Sequence, residues 1–393
     1  MNSTVVQQAD RDAGQSAAAT DAPRAAGKVV VLGPMPPPIH GAARVTHEMV
    51  ERLRGAGADV VVCNSQGRWH RPPVAYHASR AAAHIGAARA LLRGRKTEQR
   101  TLYVTGAGGM GLWYQAAVIT CARAMGYRTV FHHHSFAYLQ RRVPAMRAVV
   151  RAGGRSGYHV ALCERMAASL HALYNARNVH VCSNAGLFNG PSAVRVTPRD
   201  TAAQRPLTLG HLSNLSVDKG LALVIASLRA LRARGVDAHL HLAGPAATSA
   251  AAALIRTAAA EFGTALTYEG AIAPAQVPAF LRGIDLFLFP SAYAHEAEPL
   301  VVLEAIDSGA RVVSFDIGCL GSMVPGNGWL VQPGDDYVAH VVQIAAGIID
   351  GTETTSSNAD GRQADARAAV ARRQASNLLS LIASPGSANA PRS

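Results

Sequence analysis

The chain has 393 residues, 49% of them hydrophobic and 16% charged, which excludes a disordered protein and allows two ordinary domains, each with its own core. Its net charge of +13 is unevenly spread. Residues 1–183 hold 23 Lys and Arg against 8 Asp and Glu, and the remainder holds 15 against 17. The bases are scattered and no recognised nucleic-acid module accompanies them, so nucleic acid is not an expected partner. A basic first half suits an anionic surface or an anionic acceptor.

Residues 1–27 contain no apolar segment of the kind a secretory signal needs, and they read as a disordered tail. Lys28 to Gly33 is an apolar strand followed by the stiff loop Pro34-Met-Pro-Pro-Pro-Ile-His-Gly, where Gly41 lets backbone approach a ligand at a helix start. Strands follow at 59–63, 101–105, 128–131 and 159–163, with helical patterns between them, and this alternation predicts a parallel doubly wound sheet. The polar connection 64–76 reads as a mobile loop. Residues 101–122 carry no charge and are long enough to span a bilayer, but four glycines in their middle favour a strand, a glycine turn and a buried helix.

His132-His133-His134 closes the fourth strand, with His132 and His134 on one face and His133 on the other. Neighbours on one strand do not converge on a single ion, so no metal site is expected there. Residues 136–150 read as a helix bearing Arg141, Arg142 and Arg147, the candidate for contact with a membrane surface. Five cysteines lack C-x-x-C pairing and are expected to be unpaired, buried and apolar, in a reducing compartment.

After a Pro- and Arg-rich linker at 190–206, a second α/β pattern begins. Leu207 to Leu212 is a strand, Ser213-Asn214 opens a turn that reaches Lys219-Gly220, and a helix follows from Leu221. A cation beside that helix start suits a phosphate, which the helix N-terminus also favours. An apolar strand at 284–289 then leads into His295-Glu-Ala-Glu-Pro-Leu-Val-Val-Leu-Glu-Ala. A helix starting near Pro299 leaves Glu296 in the loop before it and puts Glu304 about one and a half turns inside, so both can face a pocket at the carboxyl ends of the strands. A bare structural meaning is also available, in which Glu296 and Glu298 only favour the helix dipole. Gly326-Asn-Gly-Trp-Leu-Val suggests a hairpin, residues 351–361 turn polar, and 362–383 are helical again before a polar tail at 384–393.

The Glu296-x7-Glu304 element, the strand-end histidines, Ser213-Asn214 with Lys219-Gly220, and the 326–331 stretch together resemble the retaining nucleotide-sugar glycosyltransferases of family four (glycosyl transferases group 1). The resemblance implies a GT-B fold: an N-terminal Rossmann-like acceptor domain at 28–189, a nucleotide-sugar domain at 207–350, and a terminal helix at 362–383 returning to the first domain. It implies that Glu296 and one of His132 and His134 serve the transferred sugar. Glu304, Lys219, Ser213, Asn214, Gly41 and the amide of Leu300 would hold the donor. Departures are His211 where the family has Arg, and Ala42 where it has a second glycine. No cofactor or metal is expected beyond the nucleotide-sugar co-substrate. The expected partners are that donor, a glycan or lipid-linked acceptor and an anionic membrane surface, in a cytoplasmic setting. A nucleotide-sugar epimerase and a non-catalytic subunit of the same fold are the alternatives, whereas the absence of G-x-G-x-x-G disfavours a dinucleotide dehydrogenase.

Overall fold

A computed structural model describes residues 27–66, 73–188, 205–324, 329–352 and 358–383. The tails at 1–26 and 384–393, most of the linker, the centre of the 64–76 loop, the Gly326-Asn327-Gly328 turn and most of the 351–361 segment lie outside them. The first lobe runs β1 (Lys28–Gly33), α1 (Gly41–Gly55), β2 (Asp59–Asn64), α2 (Pro73–Gly94), β3 (Arg100–Thr105), α3 (Gly111–Ala124), β4 (Arg128–His132), α4 (Pro144–Gly153), β5 (Tyr158–Ala161), α5 (Glu164–Tyr174), β6 (Asn178–Val181) and α6 (Asn184–Leu187). The second runs β7 (Leu207–Leu212), α7 (Leu221–Arg232), β8 (Ala238–Ala243), α8 (Ser249–Phe262), β9 (Leu266–Tyr268), α9 (Val277–Arg282), β10 (Leu286–Phe289), α10 (Leu300–Asp307), β11 (Arg311–Phe315), α11 (Leu320–Met323), β12 (Leu330–Val331) and α12 (Tyr337–Ile349). Helix α13 (Asn358–Ala383) follows.

Each lobe is built on a six-stranded parallel sheet, ordered β2-β1-β3-β4-β5-β6 and β12-β11-β10-β7-β8-β9. The reversal of strand order beside β1, and again beside β7, opens a crevice at the carboxyl ends of the strands. Runs such as Val29 to Leu32 and Leu286 to Phe289 are wholly buried because helices cover both faces of each sheet. This is the GT-B architecture.

Helix α13 joins the first lobe's core through Ala375, Leu378 and Ile382, beside Val45 and Met49 of α1. Its last turn is tied down where Thr101 and Arg128 donate to the carbonyls of Ile382 and Leu381. Midway along it, Gly186 of α6 lies so close to Ala371 that a Cβ would sit 2.1 Å from that residue's carbonyl oxygen.

Several local expectations change. Residues 136–143 are not helical: Pro144 begins α4 and holds Val143 extended before it. The exposed faces of this stretch carry Arg141, Arg142, Arg147 and Arg151 but no large exposed apolar residue. Strand β12 pairs parallel to β11, so it closes a crossover and not a hairpin. Residues 101–122 form β3, a glycine turn and α3, and no helix among the described residues is long and apolar enough to cross a membrane. The cysteines depart furthest from expectation. Cys163, capping α5, is bridged to Cys319 in the other lobe, and Cys121 is exposed.

Candidate active site

The two predicted carboxylates follow β10 on one loop-and-helix unit, Glu296 turned to Lys219 of its own lobe and Glu304 to the other lobe. Pro299 is the residue before α10, and the helix runs from Leu300 until Gly309, whose φ of +80° ends it. Glu296 is held in the preceding loop, its Oε2 accepting from Lys219 Nζ at 2.5 Å and from Ser291 Oγ at 2.9 Å. Lys219 also lies 4.6 Å from the centre of the Tyr293 ring, a cation–π contact, and Tyr293 stacks on His295. The lysine is aimed by the turn before α7, where Gly220 adopts φ +80° with its Cα against Pro290; a side chain there would strike the Pro290 carbonyl. Behind Glu296, Gly318 packs its Cα against the carbonyls of Glu296 and Ala297, so the loop after β11 backs the acid.

Glu304 meets a cation from the opposite lobe. Its Oε1 accepts from Arg44 of α1 at 2.7 Å, and the two side chains are 27% and 31% exposed. On the next turn of α10, Asp307 is pushed up to about 6, first by burial and then by the Glu304 charge beside it. Leu300, whose amide opens α10, turns its side chain into the first lobe's core with Val45 and Met49. Gly41 is the first residue of α1, and nothing lies within 4 Å of where its Cβ would be, so the backbone there is open to a ligand.

The histidines behave as strand alternation requires. The rings of His132 and His134 lie 4.2 Å apart, while His133 turns the other way onto His159 and Tyr138. His132 is fully buried with Nδ1 against the Tyr103 hydroxyl at 2.6 Å, and its Nε2 has no protein partner. His134 is the less enclosed of the two and its Nε2 is also unpartnered; burial pushes its pKa down to about 4, so it is neutral at physiological pH. Ser135 shares a hydrogen bond with His295 of the second lobe at 3.3 Å, which brings the end of β4 to the Glu296 loop.

His211 is buried with Nδ1 against the Leu288 carbonyl and Nε2 against Ser213 Oγ, and burial holds it down to about 4. It supplies no charge. Ser213 is thereby fixed beneath the turn, pressed against Gly244, while Asn214 is exposed at its crest.

Sequence reasoning passed over two residues that join the lobes here. Arg44 lies two positions past Ala42 in a helix turn that was read only for its glycine. Glu298, read as a helix-dipole charge, is buried between the lobes and accepts from Ser183 Oγ at 2.6 Å and the Asn184 amide at 2.5 Å; burial pushes it up to about 7. Their signals are a base in the first turn of α1 and an acid within a strand-to-helix loop, and sequence alone cannot pair the first with Glu304, 260 residues away, or the second with Ser183, 115 residues away.

Residues 206–347 match the family model of the glycosyl transferases group 1. Among solved structures, the chain is similar to the Anabaena protein HepE (Alr3699), crystallised in complex with UDP: identity is 16%, coverage 90% of this chain and 99% of that one, and TM-score 0.63. Sucrose-phosphate synthase from Thermosynechococcus elongatus gives 17% identity, 90% and 100% coverage and a TM-score of 0.63. The lipopolysaccharide outer core galactosyltransferase WaaB, in its apo form, gives 17%, 83%, 91% and 0.57. A search of curated protein sequences returned no match.

Proposed function

We propose that the protein transfers a sugar from a nucleotide-sugar donor to a glycan or lipid-linked acceptor, with retention of configuration and without a metal. The observation that carries this reading is the pair of carboxylates on one loop-helix unit, each neutralised by a cation at the interlobe crevice. A carboxylate accepts from two vicinal hydroxyls at once, so Glu304 suits a ribose and Glu296 the transferred sugar. Lys219 and the amides at the starts of α7 and α10 take the leaving diphosphate, the role a metal would otherwise fill. His134, neutral and with a ring nitrogen that has no protein partner, would accept from a sugar hydroxyl, with the His132 ring packed against it. HepE and WaaB, the one solved with UDP and the other named a galactosyltransferase, support the reaction class.

The acceptor is proposed from charge. Residues 73–157 hold thirteen Lys and Arg and a single acid, Glu98. With Trp113, Met110, Ile85 and Leu92 exposed on α2 and α3, this face suits an anionic membrane that presents a lipid-linked acceptor.

A thermal-shift screen of UDP-, GDP- and ADP-sugars tests the donor assignment, because a bound donor raises stability by mass action. Retained stability across the whole panel refutes it. Lys219→Ala should weaken donor binding by about tenfold to a hundredfold, the worth of one charge-assisted contact to phosphate. A titration with unchanged affinity removes the lysine from the diphosphate site.

A further inference from the structure

Resting on the donor reading above, we propose that Arg44 is a donor-binding residue delivered from the opposite lobe: it pairs with Glu304 and moves to the diphosphate when the ribose takes Glu304. The argument starts from charge balance. Glu296 is matched by Lys219 and Glu304 by Arg44, so these two acids and two bases stand in closed pairs. A nucleoside diphosphate brings at least two negative charges and a set of hydroxyls. Hydroxyls donate to carboxylates as guanidinium and ammonium groups do, so the ligand can replace each cation on its acid and leave that cation free for phosphate.

The second lobe by itself has only one such cation at this turn, because His211 is buried and bonded on both ring nitrogens. Arg44 is placed to be the second. It lies in the first turn of α1, three residues from Gly41, where the backbone is open. Its guanidinium is partly exposed and rests over the Phe188 ring, 5.5 Å from the centroid, a face along which it can slide without losing the cation–π contact. Arginine suits the exchange, since its planar fork pairs with carboxylate and phosphate in the same bidentate geometry. Because Arg44 and Lys219 stand on different lobes, a diphosphate gripped by both ties the lobes together, and donor binding is coupled to closure.

The test is a calorimetric titration of the full-length protein with UDP and with uridine, GDP and guanosine replacing them if the base proves to be guanine. Arg44→Gln should weaken UDP binding by about tenfold or more while uridine binding stays within about twofold or tightens, since Glu304 is then unoccupied. Arg44→Lys should keep most of the UDP affinity. Equal or tighter UDP binding by Arg44→Gln overturns the proposal and leaves the contact a simple latch. Parallel losses for UDP and uridine also overturn it, because they mean a distorted site. Wild-type protein that binds no nucleoside diphosphate refutes the donor reading itself; loss of UDP binding in Lys219→Ala with none in Arg44→Gln refutes only the role of Arg44.

Discussion

The two lobes share one architecture and oppose each other in charge. The first carries the net positive balance and spends its buried polar capacity on neutral rings, with His132, His133, His134, His159, Tyr103 and Tyr138 packed behind the end of β4. The second is close to neutral and turns three of its acids, Glu298, Glu304 and Asp316, toward the first. Across the crevice the direction is consistent: Arg44 reaches Glu304, Ser183 and Asn184 reach Glu298, and Arg165 reaches Asp316. The donors come from one lobe and the acceptors from the other. The contact between the lobes is therefore electrostatically guided, and Glu304, the acid proposed to hold the ribose, belongs to the same set that meets the partner lobe.

Removing a ligand-facing acid should break this comparison hardest. Glu304→Ala should abolish nucleotide-sugar turnover, a loss of at least about a hundredfold, since interactions formed with the donor in the transition state are lost along with the ribose contact. The fold should survive, because Glu304 is part-exposed on a helix whose buried residues are Leu300, Val302 and Ala305. A turnover assay with near-normal rate would detach the acid pair from catalysis.

Next in size is the covalent tie. Cys163 and Cys319 lie 156 residues apart on opposite lobes, and Cys319 donates its amide to the Ala297 carbonyl, inside the loop that holds Glu296. A bridge over so long a chain segment constrains the unfolded state by about 2–4 kcal/mol. Cys319→Ser should lower the midpoint of thermal unfolding by several degrees, and separate the melt into two transitions as the lobes unfold independently. An unchanged single transition would mean that the polar contacts alone hold the lobes together.

The fold was legible because its signals are local. Apolar runs such as Val29 to Leu32, followed by glycine-bearing turns and amphipathic helices, announce a parallel sheet wherever they occur. Gly220 and Gly309 could be read as turn residues for the same reason. Of the candidate site, Glu296, Glu304 and Lys219 could be singled out because they sit at strand-to-helix junctions of the second lobe in the pattern that resembles the glycosyltransferase family. What could not be read were relations between distant segments. Arg44 looks like an ordinary surface arginine, and Cys163 and Cys319 show no spacing that links them. Glu298 looks like a dipole-matching charge, and only the packing of α6 against it reveals an interlobe contact. The first half of the helix expected over 136–150 is missing for a local reason, since Pro144, which opens α4, keeps the residue before it extended despite the favourable composition.

Glu298 yields the smallest effect and the finest test of lobe asymmetry, because its ionisation works against that of the histidines. A carboxyl raised from 4.5 to about 7 makes the folded state hold a proton that the unfolded chain releases, so its contribution to stability falls as pH rises between those values. His134, His159 and His211 are lowered from 6.5 to about 4, so the unfolded chain takes up protons first, and their contribution rises with pH over most of the same window. Burial holds His132 and His133 well below 6.5 as well, so the histidines outweigh the two raised carboxyls, Glu298 and Asp307, and wild-type stability should therefore climb from pH 5 to about 6.5. Glu298→Gln keeps the size of the side chain and an oxygen for the Asn184 amide but removes one of the two opposing titrations, leaving that of Asp307. Its stability should climb more steeply, by up to about 1.4 kcal/mol per pH unit, the full weight of one group. Denaturant unfolding at pH 5.0, 5.5, 6.0 and 6.5 reads the two slopes. Identical slopes would mean that Glu298 keeps an ordinary carboxylate pKa, with water reaching the contact between α6 and the loop before α10.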